Sequence, residues 1–382
     1  MKEKIERIQT VLAKHNLDAW VVFSHHSYDI HTKYLLEKWV SSPTLVLVPV
    51  EGTPKVHTSA MEAMMINSDV YDVLPYKTRT EMMEAFNMQF QEIEKGSIVA
   101  MNFVSPSDIL TDMGKDILAK GTCEALQALN PNLEYVSAKD VIYDIRSIKT
   151  KKEQEYHKIA SKQTEELMIE TIEPIIKPGM TEKELASLIE FECNKLGGVA
   201  FNAIVASGSN SAVPHHESRS KKLTTNEVLL IDYGSKHNWA NADITRTYWI
   251  GSNPPESVVR AYEAVDKAKE AAYKVMKAGV DASLADQAVR DTFNEFGYDS
   301  EKYFLHSTGH PLGIETHDIG VGIARRSDTL APVQYLLEDS VVTVEPGLYF
   351  QGEFGIRLED DVIVTKEGII RLCNTPKDLL CL

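Results

Sequence analysis

Apolar positions in residues 1–145 switch between two periods. Lys2–His15 repeats every three to four residues, as one face of a helix does, whereas Ala19–Phe23, Thr44–Val50 and Ile98–Phe103 are short β-branched or apolar runs of strand length. Helical spacing returns over Ile109–Leu129. This alternation predicts an α/β domain over 1–145. The polar stretch Arg146–Glu155 reads as the hand-over to a second domain, 146–382.

The pattern then changes. Glu153–Lys177 keeps Tyr156, Ile159, Ala160 and Leu167 at helical spacing and stops at Pro178-Gly179. A capping box, Thr181-x-x-Glu184, opens a second helix with Leu185, Leu188, Ile189 and Leu196 on one face, closed by Gly197. Strand-like runs follow at Phe201–Ala206, Val228–Tyr233 and Ile244–Ile250. The same order then recurs. Asn253-Pro254 leads into a long helix through Val258, Tyr262, Val265, Ala272 and Val275, ended by Gly279, and Leu284–Phe296 forms its partner. Strands at Val341–Val344 and Ile356–Val364 come next. Two helices then several strands, twice over, predicts an α+β domain duplicated in element order, with both strand sets in one antiparallel sheet.

At 382 residues the chain exceeds a typical single core, in keeping with two domains. A hydrophobic fraction of 43% and a charged fraction of 25% are those of a globular protein. The formal charge of -16 opposes binding to nucleic acid phosphates. No run approaches the roughly 18 apolar residues of a membrane span. The first residues, Met-Lys-Glu-Lys-Ile-Glu-Arg, lack the apolar core of a signal peptide. Cys123, Cys193, Cys373 and Cys381 show no framework spacing, so no disulfide is expected and the expected compartment is the cytosol.

Charges stand where the pattern alone would not put them. Asp232 ends the apolar run Val-Leu-Leu-Ile-Asp-Tyr-Gly, and an ionised carboxylate there is costly unless something positive meets it. Asp243 opens the next strand, so a hairpin would bring the two side by side; two turn aspartates remain the plain alternative. His306, His310 and His317 fall within twelve residues interleaved with glycine. Glu345 and Glu359 each sit in or just after a β-branched strand. If Asp232, Asp243, His310, Glu345 and Glu359 converge, four carboxylates would repel and some would hold protons. Two divalent cations remove that difficulty. Oxygen-rich ligation with one imidazole suits Mn2+ first, then Zn2+, Co2+ or Fe2+. Such a pair acidifies a shared water and clamps a scissile carbonyl, which predicts hydrolysis.

The motifs Leu-Ile-Asp232-Tyr-Gly, Asp243-Ile-Thr-Arg-Thr, Gly-His310, Glu345-Pro-Gly-Leu-Tyr and Gly-Ile-Arg357-Leu-Glu359-Asp resemble those of the creatinase/aminopeptidase P/prolidase metallopeptidases, the pita-bread family. The likeness runs from about Ile145 to Thr365. It implies a pita-bread catalytic domain over 146–382 behind a creatinase-like N-terminal α/β domain over 1–145, and a homodimer. By this resemblance Asp243 and Glu359 bridge two metals, Asp232 chelates one, and His310 with Glu345 holds the other. Glu345 is then the general base for a hydroxide shared by the metals. His215, His306 and His317 bind substrate or the tetrahedral intermediate, and Arg357, on the strand face of Glu359, orients ligands or peptide. His216 reads as a flanking polar residue.

The resemblance implies short proline-containing peptides as substrates, cleaved at the Xaa-Pro bond as aminopeptidase P or prolidase does. The sequence His-x-x-x-His310 with Thr-His317-Asp318 is closer to aminopeptidase P. Trp239-Ala240 stands where relatives have Gly-Tyr, and Pro311-Leu312 where they have small residues. These departures, both close to the expected pocket, keep open a hydrolase of the same fold acting on a small non-proline amide; the resemblance also leaves a non-catalytic pita-bread binding protein, against which the complete ligand set speaks.

Overall fold

The computed structural model describes residues 1–26, 28–105, 115–326 and 333–382. The chain divides into two compact units, Met1–Ile145 and Arg146–Leu382.

The first unit is built on a six-stranded sheet. Its strands are β1 (Ala19–Ser24), β2 (Thr44–Pro49), β3 (Lys55–Ser59), β4 (Asp72–Tyr76), β5 (Ile98–Met101) and β6 (Glu134–Ser137), in the spatial order β4-β3-β2-β1-β5-β6. The central strand β1 pairs antiparallel with β2 and parallel with β5. It is apolar from Ala19 to Phe23 because both of its faces are covered. Val21, Leu45, Leu47, Val99 and Met101 pack there against Phe86 and Phe90 of the helix Arg79–Gln91. Of the helix predicted over Ile109–Leu129, residues 109–114 lie outside the described residues and the described helix is Lys120–Gln127. The reason is local. The amides of Ile117 and Leu118 both donate to the carbonyl of Asn102, at 3.0 and 2.8 Å, and so cannot join a helical ladder. The pattern reading passed over β3, β4, β6 and the helices Arg79–Gln91 and Lys139–Arg146. The first of these helices carried a legible signal, since Thr78 caps the Glu81 amide and Glu81 reaches back to the Lys77 amide.

In the second unit the predicted order of elements appears twice. Lys151–Leu167 is opened by a capping box of Thr150 and Glu153, and Glu182–Leu196 by one of Thr181 and Glu184. The first of these helices was expected to continue to Lys177. It passes instead into a wide turn at Met168–Ile172 and a tight one at Glu173–Ile175, where Pro174 lacks an amide hydrogen. Strands β7 (Ile204–Ser207), β8 (Glu227–Tyr233) and, beyond the small hairpin of β9 (Lys236–His237) and β10 (Ala240–Asn241), β11 (Ile244–Ile250) follow. The second round has helices Glu256–Val275 and Ser283–Glu295, then β12 (Val341–Val344), β13 (Gly347–Phe350), β14 (Phe354–Arg357), β15 (Asp360–Val364) and β16 (Ile369–Arg371).

The strands do not share one antiparallel sheet. β7, β8 and β11 form one sheet with β17 (Leu380–Cys381), which joins β11 in parallel; β12, β15 and β16 form another, and β13 pairs only with β14. The run Ile356–Val364, read as a single strand, breaks at Leu358-Glu359 because β14 answers to β13 and β15 to β12 and β16. The two halves are laced together where the break occurs: the Glu359 amide donates to the Thr245 carbonyl at 3.2 Å, and the Thr247 hydroxyl to the Arg357 carbonyl at 2.8 Å. Each half has its own core. Leu185, Ile189 and Cys193 meet Leu229, Ile231 and Tyr233, while Val265, Val289 and Phe293 meet Val342, Val344 and Val362.

Candidate metal centre and active site

Strand alternation sets the first pair of carboxylates. Ile231 and Tyr233 face the core, so Asp232 between them projects from the opposite face of β8. The register pairs Asp232 with Thr245 and Tyr233 with Ile244, which puts Asp243 diagonally across from Asp232 on the same face. The Asp243 amide is held by Asp361 Oδ2 at 3.1 Å.

His310 arrives on an irregular segment fixed by backbone contacts. Its amide donates to Thr343 Oγ1 at 3.1 Å and its carbonyl accepts the Thr343 amide at 2.9 Å. Gly309 before it runs so close to β12 that a Cβ would stand 2.0 Å from the Thr343 carbonyl oxygen. The imidazole Nδ1 lies 3.1 Å from the Pro311 carbonyl. With its proton there, Nε2 is a bare lone pair. That nitrogen is 3.5 Å from Asp243 Oδ2 and 3.6 Å from Glu345 Oε1. Glu345 follows β12, its amide on the Thr308 carbonyl at 2.8 Å. Glu359 occupies the break between β14 and β15, where Thr245 Oγ1 donates to its Oε2 at 2.6 Å.

Ligand atoms of Asp243, His310 and Glu359 lie within 4.8 Å of one another, a grouping that could hold a metal ion. Asp232 adds an orphan. Its Oδ2 takes the Arg357 guanidinium at 2.5 Å, but its buried Oδ1 has no hydrogen-bond donor among the described residues. A buried bare carboxylate oxygen facing three other carboxylates and an imidazole fits a hard or borderline divalent cation.

One cavity of about 280 Å³ is lined by all nine residues singled out from the sequence: Asp232, Asp243, His310, Glu345, Glu359, His215, His306, His317 and Arg357. His215 and His317 are exposed, and the His317 ring is 4.1 Å from that of His310. His306 Nε2 is 2.7 Å from the Tyr349 hydroxyl, while its Nδ1 lies 3.8 Å from Glu345 Oε2. His216 turns away and meets buried Glu182 at 2.8 Å, so it is more than a flanking polar residue: it helps tie down the segment that bears His215. Arg357 does not share a strand with Glu359. It ends β14, and its guanidinium binds Asp232, Thr245 Oγ1 (3.0 Å), the Tyr349 hydroxyl (3.1 Å) and the Pro214 carbonyl (3.3 Å).

Electrostatics follow from this crowding. Burial, then the charges of Glu359 and Asp232, push Asp243 well above the ordinary carboxylate range. Burial, then Glu345 and Asp232, do the same to Glu359. Glu345 is pushed up to about 8, chiefly by burial, with Arg357 opposing the rise. Burial drives His310 down to about 4 and His306 to about 3, so both imidazoles are neutral at pH 7. A divalent cation among these carboxyl groups would offset their mutual repulsion, and the neutral imidazoles could ligate it.

Several participants were not legible from the sequence. Phe201, Ile204, Pro214, Ser307 and Thr316 complete the lining, and Thr245, Thr343, Tyr349 and Asp361 hold it from behind. Tyr349 stood in the Glu345-Pro-Gly-Leu-Tyr motif and could have been found there. Trp239 and Pro311, the two departures from the family motifs, are not among the residues lining the cavity. Trp239 forms, with Asn238, the two-residue turn between β9 and β10, both at positive φ. Pro311 bridges to Val342, and Leu312 is buried with Val341 and Ile363.

Comparison with known proteins places this geometry. A profile of metallopeptidase family M24 matches residues 155–366, and one of the creatinase/prolidase N-terminal domain matches residues 4–148. An Xaa-Pro dipeptidase of Pyrococcus furiosus is 37% identical over 250 residues, which is 65% of this chain and 69% of that protein. Among solved structures, an X-Pro aminopeptidase from Thermotoga maritima superposes with a TM-score of 0.85 at 28% identity, covering 98% of this chain and 100% of the other. An Xaa-Pro dipeptidase from Bacillus anthracis gives 0.82 at 29% identity, covering 100% and 99%. The chain belongs to metallopeptidase family M24, its pita-bread domain preceded by a creatinase/prolidase-type N-terminal domain.

Proposed function

We propose that this protein hydrolyses Xaa-Pro bonds, at the N-terminus of short peptides or in dipeptides, with two divalent cations on Asp232, Asp243, His310, Glu345 and Glu359. The observation that carries the reading is the cavity itself: five ligand-type side chains face one space, three of them with donor atoms within 4.8 Å of one another. The names of the relatives, Xaa-Pro dipeptidase and X-Pro aminopeptidase, support proline as the residue after the cleaved bond.

Asp232, Asp243, His310, Glu345 and Glu359 would together hold the ions, three of them (Asp243, His310 and Glu359) through donor atoms within 4.8 Å of one another. Mn2+ suits this donor set first, with Zn2+, Co2+ or Fe2+ also accommodated. Cations bound there supply Lewis acidity toward the scissile carbonyl and lower the pKa of water. Glu345 receives the proton of the attacking water and delivers it to the proline nitrogen as the bond to carbon breaks. His306, neutral and tied to Tyr349, would with His215 and His317 bind substrate or donate to the developing oxyanion, and all three line the cavity. Arg357 fixes Asp232 and offsets one negative charge. Phe201, Ile204 and Pro214 give the apolar surface a pyrrolidine ring would cover.

The proposal includes a cytosolic homodimer; among the described residues, no helix is long and apolar enough to cross a membrane. The test uses purified protein with Mn2+, offered Gly-Pro, a tripeptide with proline second, and the alanine counterpart of each, with a chelator control. Turnover of Gly-Pro alone identifies a dipeptidase, and tripeptide turnover an aminopeptidase. Cleavage of the alanine peptides alone, or of none, refutes the reading.

A further inference from the structure

His317 is exposed at the cavity, and the ring contact it makes is with His310, 4.1 Å away. A side chain so little packed depends for its placement on the backbone that carries it. That backbone, 313–319, is anchored from outside the cavity by a buried ion cluster. The Asp318 side chain is 2% exposed, Arg146 1% and Lys149 5%, and none of the three lines the cavity.

The Asp318 carboxylate is spent entirely on holding this loop. Oδ1 meets the Arg146 guanidinium and accepts the Ile319 amide at 2.7 Å. Oδ2 accepts the Ile314 amide at 3.1 Å and the Lys149 ammonium at 3.4 Å. Arg146 also reaches Glu315 at 2.5 Å, and Lys149 donates to the Arg146 carbonyl at 2.5 Å. The chain passes directly over the carboxylate at Gly313, where a Cβ would stand 1.5 Å from Oδ2. The Asp318 amide donates to the Pro311 carbonyl at 2.8 Å, the same oxygen that faces His310 Nδ1. A buried ion cluster adds little stability over an apolar replacement of the same volume, which leaves the course of this loop as what these contacts determine.

We propose that Arg146, Lys149 and Asp318 are positioning residues for the hydrolytic reaction, acting through His317 by fixing the 313–319 loop so that its ring stays against His310. This rests on the peptidase reading above and assigns the cluster a part in it.

The test is a double-mutant cycle on kcat/KM for the best Xaa-Pro substrate, with wild type, Asp318→Asn, His317→Ala and the double variant. Asp318→Asn should lower kcat/KM by about 10- to 100-fold, as loss of an orienting partner does. In the His317→Ala background it should cost less than about twofold, within the tolerance of additivity. Equal losses in both backgrounds, or no loss in the first, overturn the proposal. Because Asp318→Asn leaves two buried cations short of a partner, Lys149→Met/Asp318→Asn is carried beside it. Amide hydrogen exchange gives a readout that needs no turnover: a peptide covering 313–319 should exchange faster in either variant while Glu256–Val275 is unchanged. Unaltered exchange in that loop overturns the proposal. A wild type that cleaves no Xaa-Pro peptide sinks the peptidase reading alone, and exchange still decides whether Asp318 fixes the loop.

Discussion

Removing divalent cations should make the stability of this protein fall with pH in a window where the loaded protein holds steady. The cavity brings together the carboxyl groups of Asp232, Asp243, Glu345 and Glu359. Burial and mutual repulsion raise Asp243 and Glu359 far above the usual range, and Glu345 to about 8. A carboxyl group whose folded value lies above its unfolded one keeps its proton in the folded state after the unfolded chain has lost it. Its contribution is therefore complete below the unfolded value and disappears as pH rises through the folded one. For Glu345 the rise from 4.5 to about 8 corresponds to on the order of 5 kcal/mol, at about 1.4 kcal/mol per pH unit. On the order of 4 kcal/mol of this falls between pH 5 and pH 8.5, so at about 2–4 °C per kcal/mol for a unit of this size the melting midpoint of chelated protein should drop by roughly 8–16 °C over that range. A bound cation competes with those protons, so its stabilisation is greatest at the alkaline end. The assay is scanning calorimetry from pH 5 to 8.5, with EDTA and with saturating Mn2+. The difference between the two series cancels every titration that the cation does not touch. Parallel midpoints in both series would refute the assignment of these carboxylates to a cation site.

Four further outcomes are expected. Glu345→Gln should reduce kcat by about 10²- to 10⁴-fold, the usual worth of a general base, and weaken metal binding at one site by calorimetric titration; retained activity removes Glu345 from that role. Arg357→Met leaves Asp232 unpaired, so metal-free protein should lose about 3–5 kcal/mol in urea unfolding, and less when Mn2+ is present; equal losses would show that the pair and the cation are unconnected. Gly309→Ala drives a Cβ to within 2.0 Å of the Thr343 carbonyl, so His310 should shift and Mn2+ affinity fall by at least tenfold, about 1.4 kcal/mol; wild-type affinity would contradict that contact. Glu182, fully buried, is held below its ordinary value by Asn210, His216 and Ser207 against the opposing effect of burial. Its contribution is present above the unfolded value and lost as pH falls through the folded one, so Glu182→Gln should flatten the acid limb of the stability profile between about pH 5 and 3, and an unchanged limb would deny it that part.

Much of the candidate site was legible because its members break the pattern around them. Asp232 and Glu359 put charge into apolar runs, and His306, His310 and His317 crowd one glycine-bearing loop. Their supporting residues break no pattern. Thr245 and Thr343 are ordinary strand threonines until the register sets Thr245 opposite Asp232 and lays Thr343 along His310. Asp361 looks like the neighbour of Asp360, yet it accepts the Asp243 amide and the Ser161 hydroxyl while Asp360 pairs with Lys269. Arg357 and Glu359 seemed to lie on one strand face, and both do line the cavity, but across a break that only the partners of β14 and β15 create. In the first unit, strands such as Asp72–Tyr76 are too short and too exposed for alternation to reveal them.

The features legible along the chain are local and chemical: capped helices, apolar strands, the repeated element order, and the donor types that could serve a divalent cation. Capping and periodicity act over a few residues, so they can be read along the chain. The tertiary structure decided which donors meet. Residues from Asp232 to Glu359 share a cavity because long-range pairing sets the strand register, and a slip of one residue in β8 would turn Asp232 to the core face. It also decided the charge state of the cavity, since burial and proximity are properties of the fold that no residue carries alone.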